Sequence, residues 1–214
     1  MEIALYYSPK ACSLVPYITL TEAGAAFETR ALNFRKRQHF TPEYLKLNPR
    51  HKVPVLVVDG KPLTENVAIQ LWIAENFPRA KLLPTDSWQR LQAVSLLAWV
   101  ASGLHPLLAR INNPAKSCDV PGTEDRIRER AQAELFENLA IADEQLAGRE
   151  FFFDHFTAPD AHFFWAFRRG TEFGLDQSGF RNCTAHFERM LQRPSVQKLI
   201  AYEKSVQTEF ARVA

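Results

Sequence analysis

The sequence predicts an α/β unit of order β-α-β-α-β-β-α followed by an all-α region. Three observations carry this. Short strand-like and helical runs alternate over residues 1–77, helix periods alone fill the chain after residue 87, and the Pro-containing stretch FPRAKLLPTDSW lies between.

The elements follow in order. IALYY at 3–7 is strand-like, and alternation puts Ile3, Leu5 and Tyr7 on one face and Ala4 and Tyr6 on the other. Residues 11–23 read as a helix with Leu14, Val15 and Ile18 on one side. FETRAL is a second strand, and TPEYLKLN a short helix with Pro in its first turn. VPVLVV, the turn DGKP and a brief PLT give two antiparallel strands, and residues 65–77 form a helix with Val67, Ala68, Leu71 and Trp72 spaced for one face. A helix between strands implies a crossover, so the sheet is parallel in part.

Beyond the link 78–87, Leu91, Val94, Leu97, Ala98, Ala101, Leu104 and Leu108 recur at spacings of three and four. Ile127, Ala131, Leu135, Leu139, Ala142 and Leu146 do the same. Further helices are expected near 159–172, 180–192 and 195–211, punctuated by Gly174, Gly179 and Pro194. The expected domains are therefore 1–77 and 88–214. No internal repeat is visible.

With 214 residues, 46% hydrophobic and 23% charged, the chain has the composition of a globular protein able to bury a core. Its 26 basic and 24 acidic residues leave a formal charge of +2, so no global field draws nucleic acid or an anionic membrane surface. The N-terminus lacks the succession of a signal peptide, and no apolar run of about 18 residues is expected, which points to the cytoplasm. Cys12, Cys118 and Cys183 are scattered and never spaced CxxC, so free thiols are expected rather than a disulfide framework. The pairs Cys183/His186 and His155/His162 lack further ligands nearby, and no metal is expected. RIRER at 126–130 alternates in sign with Glu134 along a helix, which reads as a salt-bridged solvent face rather than a nucleic-acid surface.

The stretch YYSPKACSLVPYITL turns at Pro9 and opens a helix with Cys12 in its first turn. The unpaired N–H groups of a helix start, with Lys10 nearby, favour a thiolate, so Cys12 fits a low-pKa thiol. It fits a small buried apolar residue as well. In NPRHKVPVLVVDGKPLTEN, Pro54 begins a strand, a place tolerated only where that edge is unpaired, and Val53 before it could offer its backbone to a guest peptide. Thr64-Glu65-Asn66 stands at the next helix start, where backbone N–H groups and the Asn amide could hold a carboxylate. Each feature recurs in many folds. Their order is more specific.

That order, followed by an all-helical region, resembles the cytosolic glutathione transferases over essentially the whole chain. YYSPKACSL is similar to the first motif of the bacterial beta class, with Cys12 and Ser13 standing at that class's cysteine and serine. LTENVAIQLWIAENFP is similar to the family's third helix, and FTAPDAHFFW resembles its buried capping box, in which Thr157 and Asp160 bond reciprocally. The resemblance implies a thioredoxin-like N-terminal domain with Pro54 in the cis form, a helical domain supplying the electrophile-site wall, a homodimer, and glutathione as co-substrate.

Carried over by resemblance, glutathione lies along Val53 beside Pro54. Its γ-glutamyl end is at Glu65 and Asn66, its glycine end near Lys52 and the run Arg35, Lys36 and Arg37, and its sulfur faces Cys12. Cys12 or Ser13, with Tyr7, would favour the ionised sulfur. His105 matches the family's histidine from the helical domain, and Leu108, Phe164 and Phe167 are candidates for the apolar wall. Lys10 stands where the family often has Gly, Asn66 where it often has Ser or Gly, and Ala98 where some relatives carry a polar residue. The implied activity is conjugation of the glutathione thiolate to small hydrophobic electrophiles, a detoxifying role, with mixed-disulfide chemistry through Cys12 as a second use. The alternative is a non-catalytic adaptor of the same fold. The joint presence of Cys12, Pro54, Glu65 and His105 argues for the enzyme.

Overall fold

The alternating first part becomes β1 (Ile3–Tyr7), α1 (Leu14–Glu22), β2 (Glu28–Ala31), α2 (Pro42–Leu47), β3 (Val55–Val58), β4 (Lys61–Thr64) and α3 (Asn66–Asn76) in a computed structural model that describes residues 1–212. The four strands form one sheet in the order β2-β1-β3-β4. β1 runs parallel to β2 and antiparallel to β3, with Leu5 opposite Thr29 and Leu56, and β3 runs antiparallel to β4. The mixed sheet has the predicted cause: α1 carries the chain across to a parallel strand, while the two-residue turn at Asp59 and Gly60 reverses it. Both turn residues have positive φ, 47° and 79°, as a turn matching the strand twist requires.

Alternation along β1 sorts the packing. Tyr6 meets Tyr44 of α2 at a ring separation of 5.4 Å, whereas Tyr7, on the other face, lies 6.1 Å from Tyr17 of α1. Leu5, Leu14, Val15, Ile18, Leu56, Ile69 and Ile73 have no accessible surface and form the core on the side of Tyr7. Leu32, Tyr44, Val53 and Val55 make a second cluster, with Tyr6 and Leu47 against it.

The later helices are α4 (Ser87–Trp99), α5 (His105–Asn112), α6 (Glu124–Gln145), α7 (Ala158–Glu172), α8 (Arg181–Leu191) and α9 (Pro194–Arg212). A π-helical turn, Val100–Leu104, joins α4 to α5 without a break. The resulting rod, Ser87–Asn112, has 26 residues and is long and apolar enough, by length and composition alone, to cross a membrane, so the expectation of no such run is corrected. Its buried residues Ala93, Leu97, Val100, Leu104, Leu108 and Ile111 recur at spacings of three and four, the stripe of a helix packed in a bundle. The predicted sign alternation appears as ion pairs along α6, Arg126 with Glu129 at 3.2 Å and Arg130 with Glu134 at 3.4 Å.

Two compact units result. One is Met1–Leu83 together with the segment from Gln192 through α9, and the other is Pro84–Leu191. The last helix, inside the stretch 88–214 by sequence, packs in the first unit. Arg193 pairs with Glu22 of α1 at 2.8 Å, Ser195 donates to the same carboxylate, and Tyr202 stacks on Tyr17 with centroids 5.3 Å apart. In the second unit the Asp160 carboxylate accepts from the N–H and the hydroxyl of Thr157, each at 2.8 Å, completing the predicted capping box at the start of α7. It also accepts from the Phe152 N–H at 3.0 Å and meets Nε2 of His186 at 3.1 Å.

Candidate active site

In the first unit, the loop after β1, the turn before β3 and the start of α3 converge. The loop is tightly wound: Ala11 N–H bonds to Ser8 C=O at 3.2 Å, and Lys10 adopts φ 65°, a left-handed conformation that costs a side-chain-bearing residue energy. That conformation aims the Lys10 N–H at Oε1 of Glu203, 2.8 Å away on α9 and almost fully buried. Glu203 is a positioning residue that the sequence did not single out. It lies 193 positions from its partner, and no local pattern links them.

Ser13 precedes the first helical residue and is fully buried. Its Oγ accepts from the Ser8 N–H at 3.0 Å and donates to the Ser8 carbonyl at 3.3 Å. Ser13 therefore closes the loop on itself, with both directions of its hydroxyl engaged by Ser8. The Tyr7 ring is fully buried, with Tyr202 at 5.5 Å, and its hydroxyl is buried too.

Cys12 lies at the convergence. Its Sγ is 3.6 Å from the Val53 carbonyl, and its own carbonyl accepts from Asn66 Nδ2 at 3.0 Å. Only 7% of the residue is exposed. Burial pushes its thiol up to about 12, and the Glu65 carboxylate adds to that, against backbone hydrogen bonding, the Lys52 charge and the Asn66 amide. Of the two readings of Cys12, burial thus favours the small buried residue with a raised thiol over the low-pKa thiol.

Val53–Pro54 is a cis peptide, as the resemblance implies. The preceding carbonyl, that of Lys52, is fixed by the Tyr44 hydroxyl at 2.6 Å and Asn48 Nδ2 at 2.8 Å. At the start of α3, Glu65 takes φ 71° and ψ 125°, a sparsely populated conformation of the kind that clusters at ligand clamps. Its exposed side chain pairs with Arg50 at 3.1 Å, and Arg50 also donates to Thr64 at 2.9 Å. Arg50 was missed, although it lies within the quoted NPRHKVP stretch. The first helical bond runs from Ile69 N–H to Glu65 C=O, so the N–H groups of Asn66, Val67 and Ala68 have no partner within the helix. Asn66 Oδ1 is buried without a partner among the described residues, and so are both amide atoms of Gln70, one turn on.

Lys36 and Arg37 lie on the exposed loop after β2, where Asn33 Oδ1 accepts from the backbone of Arg35 at 3.0 Å and of Lys36 at 3.3 Å. The Arg37 guanidinium sits 4.7 Å from the centre of the Phe40 ring. In the second unit, His105 opens α5 with its ring 4.5 Å from that of Trp165. Leu108, Phe164 and Phe167 are buried, the two Phe rings packing on Phe187 at 5.4 and 5.5 Å. All three lie in the interior of the helical unit. Among the described residues no cluster of three or more His, Cys, Asp and Glu could hold a metal.

Residues 1–75 match the family described as glutathione S-transferase, N-terminal domain. The chain is 31% identical over 203 residues to glutathione S-transferase GstA of Escherichia coli O157:H7, covering 93% of this chain and 98% of that one. Two solved structures are similar over 94% of this chain and 98% of theirs: a bacterial beta class glutathione S-transferase of Sphingomonas chungbukensis (33% identity, TM-score 0.83) and a sphingomonad glutathione S-transferase complexed with glutathione (31%, 0.83).

Proposed function

This chain belongs to the glutathione S-transferase family, and from that premise we propose that it binds glutathione in its first unit, stabilises the thiolate and transfers it to a small hydrophobic electrophile. The observation that carries the proposal is the convergence of Cys12, the cis Val53–Pro54 turn and the strained start of α3 in one unit. Val53 is followed by Pro54, which stands before β3 and can donate no hydrogen bond, and this suits backbone pairing of Val53 with an extended peptide. The N–H groups at the start of α3 suit the γ-glutamyl carboxylate. Glu65 and the unpartnered Asn66 Oδ1 suit the ammonium beside it. Lys52, with Lys36 and Arg37, supplies cations for the glycine carboxylate.

The thiolate is the nucleophile in conjugation, and a neutral thiol is a hydrogen-bond donor. With its proton held to about pH 12, Cys12 donates: its S–H turns from the Val53 carbonyl to the substrate sulfur and favours the ionised form of that sulfur. The same protonation disfavours Cys12 as the attacking group in disulfide chemistry, so conjugation is the primary reading and mixed-disulfide exchange the secondary one. The proposal extends to a cytoplasmic, detoxifying homodimer of the beta class, the class of one of its structural relatives.

Calorimetry with reduced glutathione at millimolar concentration, followed by turnover with a chloronitrobenzene, tests this. Binding is expected to weaken about tenfold or more in Glu65→Gln, which loses a charge-assisted bond to the ammonium, with no loss of folding stability. Absence of heat in the parent protein overturns the proposal. Binding without turnover favours the adaptor.

A further inference from the structure

Outside that site, a cavity of about 260 Å³ opens in the second unit between α5, the loop after Asn112 and the start of α6. Arg110, Arg126 and Arg130 line it against a single carboxylate, Glu134, with Ile127 on its apolar side and Cys118 at its rim. Glu134 lies 4.0 Å from Arg110 and 3.4 Å from Arg130, while Arg126 pairs outside the cavity with Glu129. These pairs are exposed, and such pairs contribute at most about 1 kcal/mol, so the guanidinium groups are free to turn to a better partner. Three guanidinium groups around one small cavity match the geometry of carboxylates.

Cys118 differs from the other two cysteines. Cys12 and Cys183 are buried with thiols pushed up by desolvation, whereas Cys118 is half-exposed. Hydrogen bonding from the Val120 backbone first, with the Thr123 side chain nearby, lowers its thiol from the ordinary value, against the charge of Glu124; the Thr123 hydroxyl itself donates to the Val120 carbonyl at 2.7 Å. Cys118 lines the same cavity as the three arginines and is partly exposed, as reactive cysteines are.

We propose that this cavity recruits a small disulfide bearing carboxylate groups, and that Cys118 exchanges with it to hold one half on the protein. The Cys118 sulfur, having released its proton to solvent, attacks the nearer sulfur of the bound disulfide. A new S–S bond forms as the old one breaks, and the departing half leaves with the electron pair and takes up a proton. The small disulfide is the oxidant, and an excess of thiol reverses the step. The cavity is smaller than that of a drug-sized ligand, which selects compact aliphatic disulfides.

The test uses the full-length protein with three probes: dithiodipropionate (anionic), bis(2-hydroxyethyl) disulfide (neutral) and cystamine (cationic). Adducts are located by peptide mass spectrometry, and each rate is divided by that of a free neutral thiol, N-acetylcysteine amide, to remove intrinsic reactivity. The expected result is an adduct on Cys118, with a normalised anion-to-cation ratio of roughly tenfold or more at low salt. That ratio should collapse at about 0.5 M NaCl and in the Arg126→Gln/Arg130→Gln double variant. No adduct on Cys118, a ratio near one, or a ratio unchanged in the double variant overturns the proposal. None of the probes is glutathione and the readout is at Cys118, so this outcome is separate from that of glutathione binding.

Discussion

The Cys12 thiol stands two residues before the first helical residue, close enough to feel the helix field, yet burial keeps it protonated. With its pKa near 12, only ~10⁻⁵ of it is thiolate at neutral pH, against a few per cent of a free cysteine. Iodoacetamide is therefore expected to modify Cys118 at about the rate of a model thiol and Cys12 about a thousandfold more slowly, read by peptide mass spectrometry. Comparable rates at the two residues would contradict the burial argument. Burial acts in the opposite direction on His162, whose ring nitrogens are buried without a partner among the described residues, near Trp165. Desolvation first, and the charge of His105 second, lower it to about 3. The unfolded chain binds a proton at this residue below about 6.5 while the folded chain does not until about 3. The stability it permits is thus complete above the higher value and is lost as the pH falls through that window. Going from about pH 7 to about pH 5 should cost roughly 2 kcal/mol through His162, and His162→Phe should remove that part of the slope in urea unfolding.

At the scale of elements, α7 shows how a local motif is enlarged by tertiary structure. The Thr157–Asp160 box is readable as T-x-x-D before an apolar run, and its two reciprocal bonds form. The sequence leaves unread the fact that the same fully buried carboxylate also takes the Phe152 N–H and His186 Nε2, joining the preceding loop and α8 to the helix start. Thr157→Ala removes one partner and should cost about 1 kcal/mol. Asp160→Ala leaves several buried donors unmet and should cost about 3 kcal/mol or more, both measured by chemical denaturation. Equal effects from the two substitutions would show that the box, not the wider network, is what Asp160 supports.

At the scale of the whole molecule, the first unit is completed by a helix from the far end of the chain. Through Glu203, Arg193, Ser195 and Tyr202, α9 holds the strained Lys10, the end of α1 and the ring of Tyr17. A chain ending at Leu191 is expected to lose cooperative unfolding of the first unit and with it glutathione binding. In the full chain Glu203→Ala should cost about 1–3 kcal/mol, and Glu203→Gln, which keeps an acceptor for the Lys10 N–H, clearly less. A truncated chain that still binds glutathione would sink this account. The element order, the hairpin at Asp59-Gly60 and the stripe Ala131, Leu135, Leu139, Ala142 of α6 could be read along the chain, because hydrophobic period and turn chemistry are set by residues a few positions apart. The face expected for α3 (Val67, Ala68, Leu71, Trp72) is corrected to Asn66, Ile69, Gln70, Ile73 and Ala74, and Leu91 and Ala98 of the rod face solvent, because helical spacing gives a period and not which side the neighbours cover. The protonation of Cys12, the inward closure of Ser13, the burial of Phe164 and Phe167 and the bond from Lys10 to Glu203 were decided only in three dimensions. Each depends on how much water the fold removes from one side chain, or on a partner far off in sequence, and neither quantity has a local period to betray it.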